Sequence, residues 1–465
     1  MQNLEPVRDQ NAHPEDEPTA FPDSPFDRWM TPVRRFLHIE AASGIVLFAC
    51  AVAALVAANS PFAEPFAEFW HTKVALLIGK WTVAGDVAHL VVNDGLMTIF
   101  FFVVGLEIKR EIVAGELRNV RNAILPVVAA IGGVLAPALV YLALQWGEAG
   151  QRGWAIPMAT DIAFVVGVLA LFGRRVPFGL KIFLLSLAIV DDLIAVATIA
   201  LVFTESIAWG WVAAAGVGFA MTYVLNRVGL RQVGAYILIG LFIWFAFYKS
   251  GIHPTVAGVL LGILTPASAW VGERTLTQIV GEAWQRLRGQ PESPLNEHDR
   301  VAELERLAFV AQEGVSPLHR LESSLHPWVA FGIMPIFALA NAGVVVAMSD
   351  LANPVTIAVM AGLFIGKPLG ILLFSGIAVG MRATRLPEGV TWGMMVGAAC
   401  LAGIGFTMSL FLTTLSFPSS LGDAGSSLAA SGKVGTLLGS LASAVVGSLL
   451  LLWAARNGPS PDAAE

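Results

Sequence analysis

Apolar residues in this chain come in long runs, separated by short stretches that hold Gly, Pro or charge. A run of roughly 17 to 25 apolar residues spans about 30 Å of hydrocarbon as a helix. Runs of this kind recur from residue 39 to residue 455, and they predict helices over approximately 39–59, 89–108, 123–145, 154–172, 182–203, 209–225, 234–248, 252–270, 328–346, 355–381, 394–415 and 434–455. The expected fold class is therefore an all-α polytopic membrane protein of about twelve transmembrane helices.

Two connections interrupt the pattern. The segment 61–86 follows the first run, and its stretch 73–83 has the β-branched content of a short external hairpin, a candidate for self-association into a homodimer. The loop 271–325 carries helix formers such as AELERL at 302–307, which predict a short amphipathic helix on the cytoplasmic face. Residues 1–37 are polar and acidic, with Pro6, Pro14, Pro18, Pro22 and Pro25, and read as a disordered tail. The membrane domain occupies 38–456 and a second short tail 457–465.

Composition sharpens this picture. Of 465 residues, 56% are hydrophobic and 13% charged, and the mean hydropathy is +0.71, outside the range of soluble domains. The solvent for most of the chain is lipid. A net charge of -6 leaves no basic surface for nucleic acid. Cys50 and Cys400 both lie within apolar runs, where a thiol behaves as a small hydrophobe, so no disulfide framework and no metal cage follow. The pair Arg34 and Arg35 could belong to an export signal, but the runs that follow favour positive-inside anchors of a retained span. Lys and Arg fall on the amino-terminal side of the predicted spans roughly four times as often as on the other, which places both termini in the cytoplasm. Arg28, Lys109, Arg110, Arg118, Arg121, Arg174, Arg175 and Lys181 stand on one side; Lys73, Lys80, Arg152, Lys249 and Lys433 stand on the other.

Four ionisable residues sit deep in these runs: Asp161, Asp191, Asp192 and Lys367. Each costs roughly 2.5 to 3.5 kcal/mol near a helix centre, on the order of 10 kcal/mol together before any pairing. Asp191 and Asp192 lie about ten residues, or roughly 15 Å, from the end of their run, at the midplane. Neighbouring helical positions point about 100° apart, so one carboxylate can face a cavity while the other reaches a flanking helix. Adjacent carboxylates in a low dielectric resist ionising together. Carboxylate oxygen also holds a small hard cation, so a sodium ion and a proton can compete for one site, which is the minimum machinery of exchange. The alternative, a polar pair that merely packs helices, makes extravagant use of two acids.

Asp161 follows Pro157 and precedes Gly167, and these weaken the helix around Thr160 and the acid. A second weak point is GIGFTMS at 403–409. Broken helices at membrane depth are tolerated where they line a cavity or are buried in protein. The two breaks hold equivalent places counted from the second and ninth runs, consistent with duplicated, inverted halves. Asp161 could otherwise just cap a helix fragment. Lys367, about twelve residues into its run, is too deep to snorkel and needs an acidic partner, Asp191 first and Asp161 second; a static salt bridge is the plainer reading.

At these residues the chain resembles the NhaA sodium/proton antiporter family. The resemblance is carried by NDGLM at 93–97, FFVVGLEIKRE at 101–111, PMATDIAF at 157–164, IVDDL at 189–193, KSGIH at 249–253, LHPW at 325–328, NAG at 341–343, GKPLG at 366–370 and GIGFTMS at 403–409. It extends over nearly all of the membrane region. It implies two crossed, discontinuous helices, the fourth and eleventh, in inverted-topology repeats, an arrangement for which this family is itself a type example. It implies an electrogenic exchanger of the bacterial inner membrane that expels sodium, and lithium, with inward protons and no cofactor, serving salt tolerance and internal pH control with activity rising at alkaline pH. More protons than sodium ions would move per cycle. By motif position Asp192 would be the principal sodium ligand and Asp191 its partner. Asp161 and Lys367, with Thr160 lining the crossing, would balance half-helix dipoles. The family's cytoplasmic pH-sensing cluster maps onto Glu107, Arg110, Glu111, Glu322 and His326. The i,i+4 pairs there read equally as a solvated face. His253 either tunes the pH response or is a hydrogen-bonded structural residue. One departure is Ser323 and Ser324 after Glu322, where the family pattern has a histidine, and the loop ahead is longer, so the pH midpoint does not carry over.

Other classes fit less well. An intramembrane aspartyl protease, which would make the chain an enzyme, needs its acids on separate helices in a Gly-x-Gly-Asp setting, absent around Asp161 and Asp191. A channel needs a repeated filter motif. A sodium-coupled transporter of another class is the remaining alternative, and a polar or aromatic solute pocket would distinguish it.

Overall fold

The long apolar runs fold as helices. The computed structural model describes residues 40–78, 81–204, 206–229, 233–288, 296–346, 348–418 and 421–457. The tail read over 1–37, the tail beyond Asn457, and Arg28, Arg34, Arg35 and Lys80 of the charge count lie outside them. The first half contains α1 (Glu40–Ala58), α2 (Ala63–His71), α3 (Met97–Ala114), α4 (Val120–Gln145), α5 (Ile162–Phe172), α6 (Phe178–Val202), α7 (Trp209–Val228), α8 (Val233–Ser250) and α9 (Thr255–Leu264). There follow α10 (Glu273–Arg288), α11 (Glu297–Glu313), α12 (Pro317–Trp328), α13 (Met334–Asn341), α14 (Met348–Leu351), α15 (Pro354–Ala361), α16 (Lys367–Gly380), α17 (Trp392–Ala402), α18 (Phe406–Ser416) and α19 (Gly422–Asn457).

Among the described residues six helical stretches are each long and apolar enough to cross a bilayer, or nine if each of three bent pairs is one span. The bent pairs are α1 with α2 at 113°, Ala149–Met158 with α5 at 41°, and α17 with α18 at 43°. The run read over 252–270 is helical only through α9, because Thr265 is extended ahead of Pro266, whose ring disfavours a helical residue before it. The connection 271–325 holds more helix than the one amphipathic segment expected. There α10 and α11 pack on each other and bury Ala283 and Val310 before α12 begins.

The hairpin is an antiparallel ribbon of β1 (Lys73–Ile78) and β2 (Trp81–Asp86), with Lys73 opposite Asp86 and Ile78 opposite Trp81. The end of α8 is tied to it: Lys249 Nζ donates to the Thr82 carbonyl at 2.8 Å and Tyr248 Oη to that of Ala84 at 3.3 Å.

Inside the bundle Phe101, Tyr141, Phe337 and Phe411 are fully buried, while Ile45, Leu139, Leu201, Leu238, Leu373 and Leu449 point outward. An apolar exterior around an apolar interior is what lipid, rather than water, stabilises.

Two local devices position the site. Gly132 of α4 and Gly370 of α16 touch so closely that a Cβ on either would strike the other's carbonyl oxygen, and Gly366 sits likewise on Pro137. That contact draws α16 into the bundle and carries Lys367 with it. Ahead of Lys367 the turn Gly362–Gly366 is widened to π-helical geometry. Pro368 has no N–H to donate one turn back, so the ordinary helical ladder cannot continue there. Gly167 does not break its helix: it lies within α5 with its Cα against that of Gly44 on α1, and serves close packing.

Candidate functional site

Two interrupted helices meet at the centre of the bundle. In the first, a tight 3-10 run over Ala149–Met158 that contains Pro157 gives way to extended Ala159, and Asp161 then caps α5. In the second, α17 ends at Ala402 and α18 begins at Phe406, with Gly403 to Gly405 between them. The breaks bond to each other: the Asp161 N–H donates to the Ile404 carbonyl at 2.7 Å.

Asp161 serves both helix starts. Its Oδ1 accepts the Phe164 N–H of its own helix at 3.1 Å, and its Oδ2 accepts the Thr407 N–H at 3.1 Å and the Thr407 hydroxyl at 2.5 Å. A carboxylate at two helix N-termini satisfies otherwise orphaned amides and faces the positive ends of both dipoles. Lys367 lies at the opposite kind of end. Its Nζ donates to the carbonyl of Met158, the last residue of the 3-10 run, and sits 2.9 Å from Asp191 Oδ2. Asp191, not Asp161, is therefore the lysine's partner.

Asp191 and Asp192 stand near the middle of the 25-residue α6, with 1% and 2% of their surface exposed. Thr160 Oγ1 lies 2.7 Å from Asp191 Oδ2 and 3.1 Å from the Ala402 carbonyl oxygen, so it links α6 to both breaks. One oxygen of each aspartate, Oδ1 in both, is buried with no hydrogen-bond partner among the described residues. An unpartnered buried carboxylate oxygen is costly unless a cation or a proton fills it. The arrangement thus offers two oxygen donors from adjacent acids, with a lysine already on the far oxygen of one of them.

The residues read as a pH-sensing cluster gather elsewhere, where α3 meets α12. Arg110 pairs with Glu322. Glu111 is buried and accepts the Ser186 hydroxyl at 3.1 Å and the Glu116 N–H at 3.0 Å. Glu107 is half-buried one turn before Glu111, and His326 is exposed one turn after Glu322. His253 is not part of this group: its Nε2 is 3.5 Å from Asp94 Oδ1, its Nδ1 2.8 Å from Thr255 Oγ1, and its ring stands edge-on to Phe411.

The sequence matches the family model described as Na+/H+ antiporter 1 over residues 34–451. The chain belongs to this family. Among curated members it is 46% identical to the Na(+)/H(+) antiporter NhaA of Rhodopirellula baltica, over 93% of this chain and 96% of that one. It is 44% identical to the Na(+)/H(+) antiporter NhaA 3 of Acidiphilium cryptum, with 98% and 97% covered, and 45% identical to the NhaA of a Janthinobacterium species, with 92% and 93% covered.

In this Na+/H+ antiporter 1 chain three further side chains hold the breaks. Thr407 bonds Asp161, Ser409 donates to the Ile156 carbonyl at 2.7 Å, and Ser440 accepts from two amides of the second break. Away from the breaks, Asn341 donates to Asn93 Oδ1 at 3.0 Å. Thr407 had a signal, being the first hydroxyl after the Gly-Ile-Gly break and so placed at a helix start. Ser440 had none; it is one polar residue within a long apolar run.

Proposed function

We propose that this protein exchanges sodium, and lithium, for protons across the bacterial inner membrane, expelling the metal ion with inward protons. The observation that carries the reading is the pair of unpartnered carboxylate oxygens on Asp191 and Asp192, buried beside Lys367 where two broken helices meet. Asp192 is the principal sodium ligand and Asp191 shares ion and proton binding. Lys367 and Asp161 balance the ends of the crossed fourth and eleventh helices, and Thr160 orders the crossing. A bound sodium ion leaves when protons occupy the carboxylates, and two acids support more protons than sodium ions per cycle, hence an electrogenic exchange. The membrane domain spans 38–456 with twelve helices in inverted repeats and both termini cytoplasmic; among the described residues six of the spans are long unbroken helical stretches and three more are bent pairs. Lipid surrounds it, a second copy associates through the external ribbon, and the Arg110–Glu322 group raises activity at alkaline pH.

The test uses everted vesicles with a preformed pH gradient. Added sodium should dissipate the gradient, and Asp192→Asn should abolish the response with the protein still present in the membrane. Competition for the site also fixes a sign: acidification should raise the apparent KM for sodium, by up to about tenfold per pH unit for each proton that competes. Wild-type protein that moves no sodium, or an Asp191→Asn/Asp192→Asn protein that moves it undiminished, would refute the proposal.

A further inference from the structure

In an unbroken helix the Phe406 N–H would donate to the Ala402 carbonyl and the Gly405 N–H to that of Leu401. Neither bond exists here. Both N–H groups turn instead to one side chain on α19, Ser440 Oγ, at 3.1 Å and 3.2 Å. The Ala402 carbonyl, released from Phe406, faces the Thr160 hydroxyl at 3.1 Å. One helical hydrogen bond has thus been opened, and each of its halves satisfied by a hydroxyl from a different element.

The second hydroxyl has a choice to make. Thr160 carries a single O–H proton and has two acceptors in reach, the Ala402 carbonyl and, closer at 2.7 Å, Asp191 Oδ2. The position of the Ala402 carbonyl therefore bears on how strongly Thr160 bonds Asp191. That carbonyl stays where it is only while Phe406 is held away from it. Ser440 is buried and three residues before Ser443, on the same face of α19. Ser443 Oγ lies against Gly403 yet has no hydrogen-bond partner among the described residues. The two serines offer the same chemistry at the same break, and only one of them holds its amides.

We propose that Ser440 is a positioning residue for the ion site: it holds the second break open from α19, and through the Ala402 carbonyl it sets the sharing of the Thr160 hydroxyl with Asp191. The inference rests on the reading of Asp191 and Asp192 as the ion site. Without Ser440, two buried amides lose their acceptor and the helix regains its ordinary partner at Ala402. Thr160 is displaced from that carbonyl, and the ligand geometry at Asp191 changes although nothing touching the ion has been replaced.

The experiment is sodium titration of antiport in vesicles over a pH series, with wild type, Ser440→Ala, Ser440→Thr, Ser443→Ala, Thr160→Ala and the Thr160→Ala/Ser440→Ala pair. Ser440→Ala should raise the apparent KM for sodium about fivefold or more, the usual size of coupling between sites, with maximal rate within about twofold of wild type. Ser440→Thr, which keeps the hydroxyl, should restore it, and Ser443→Ala should behave as wild type. In the Thr160→Ala background the Ser440→Ala change should add nothing, because its route to the ion has been removed. If Ser440→Ala does not accumulate in the membrane, Ser440→Cys, a weaker acceptor, replaces it with the same direction expected. An unchanged KM and pH profile in the alanine variant, an equal effect from Ser443→Ala, or full additivity with Thr160→Ala would each overturn the proposal. A wild-type protein inert to sodium would refute the ion-site reading itself, whereas sodium-driven exchange abolished by Asp192→Asn but indifferent to Ser440 would refute this inference alone.

Discussion

Replacing Lys367 by Met tests the electrostatics of the centre most directly. Lys367 has no exposed surface, and its Nζ lies 2.9 Å from Asp191 Oδ2. At that separation and an effective dielectric constant near 20, the Coulomb attraction is about 6 kcal/mol, and desolvation of both groups offsets much of it. The pair therefore adds little net stability over an apolar pair of the same size, but removing one member leaves a buried charge behind, which costs about 3–5 kcal/mol. Spread over the unfolding entropy of a domain of this size, this is a fall in Tm of about 3 to 6 °C. The variant also frees the Met158 carbonyl from its donor, which adds to the loss. The assay is thermal unfolding of purified protein in detergent, measured for Lys367→Met, Asp191→Asn and the double variant. If the reasoning holds, Asp191→Asn added to Lys367→Met recovers more than half of the lost Tm, because the carboxylate that faced the lysine at 2.9 Å no longer carries a charge. A double variant as unstable as Lys367→Met, or less stable, would show that the lysine stabilises by its packing and its carbonyl bond, and not through Asp191.

Two further outcomes are expected. Arg110→Gln removes the ion-pair partner of buried Glu322, and it should change the pH profile of antiport; a loss of Tm with the profile unmoved would assign the pair to stability alone. Shortening the ribbon over 73–86 removes strand edges able to pair with a second copy, so light scattering in detergent should show the mass fall from dimer to monomer, while persistence of the dimer would place the contact elsewhere.

Lipid as the solvent and helices as the elements were legible in the residue pattern, and so were the candidate charges. Runs long enough to cross a bilayer demand helices, because lipid offers a backbone no partner other than itself. Asp161, Asp191, Asp192 and Lys367 announced themselves through the expense of placing charge in those runs. Pro157 and the Gly403, Gly405 pair marked where helices would fail, since each lacks either an amide or a side chain that favours the helix. Sequence left open which acid Lys367 meets. Its depth required a partner, and the packing of α16 on α4 through Gly132 and Gly370 accompanies the placement of Lys367 against Asp191 and not Asp161.

Tertiary structure alone decided the rest. Gly167 reads in sequence as a weak point of a helix, yet its neighbour on α1 makes it a contact surface. His253 reads in sequence either as tuning the pH response or as a hydrogen-bonded structural residue, and the fold puts it against Asp94, Thr255 and Phe411, apart from Arg110 and Glu322. Ser440 carries no local signal because its partners are 34 and 35 residues away along the chain. Hydrophobic periodicity and local propensity report what a residue prefers within its own turn. Which amide, carbonyl or charge it finally meets depends on how helices distant in sequence pack, and that is set by the shapes of many side chains acting together.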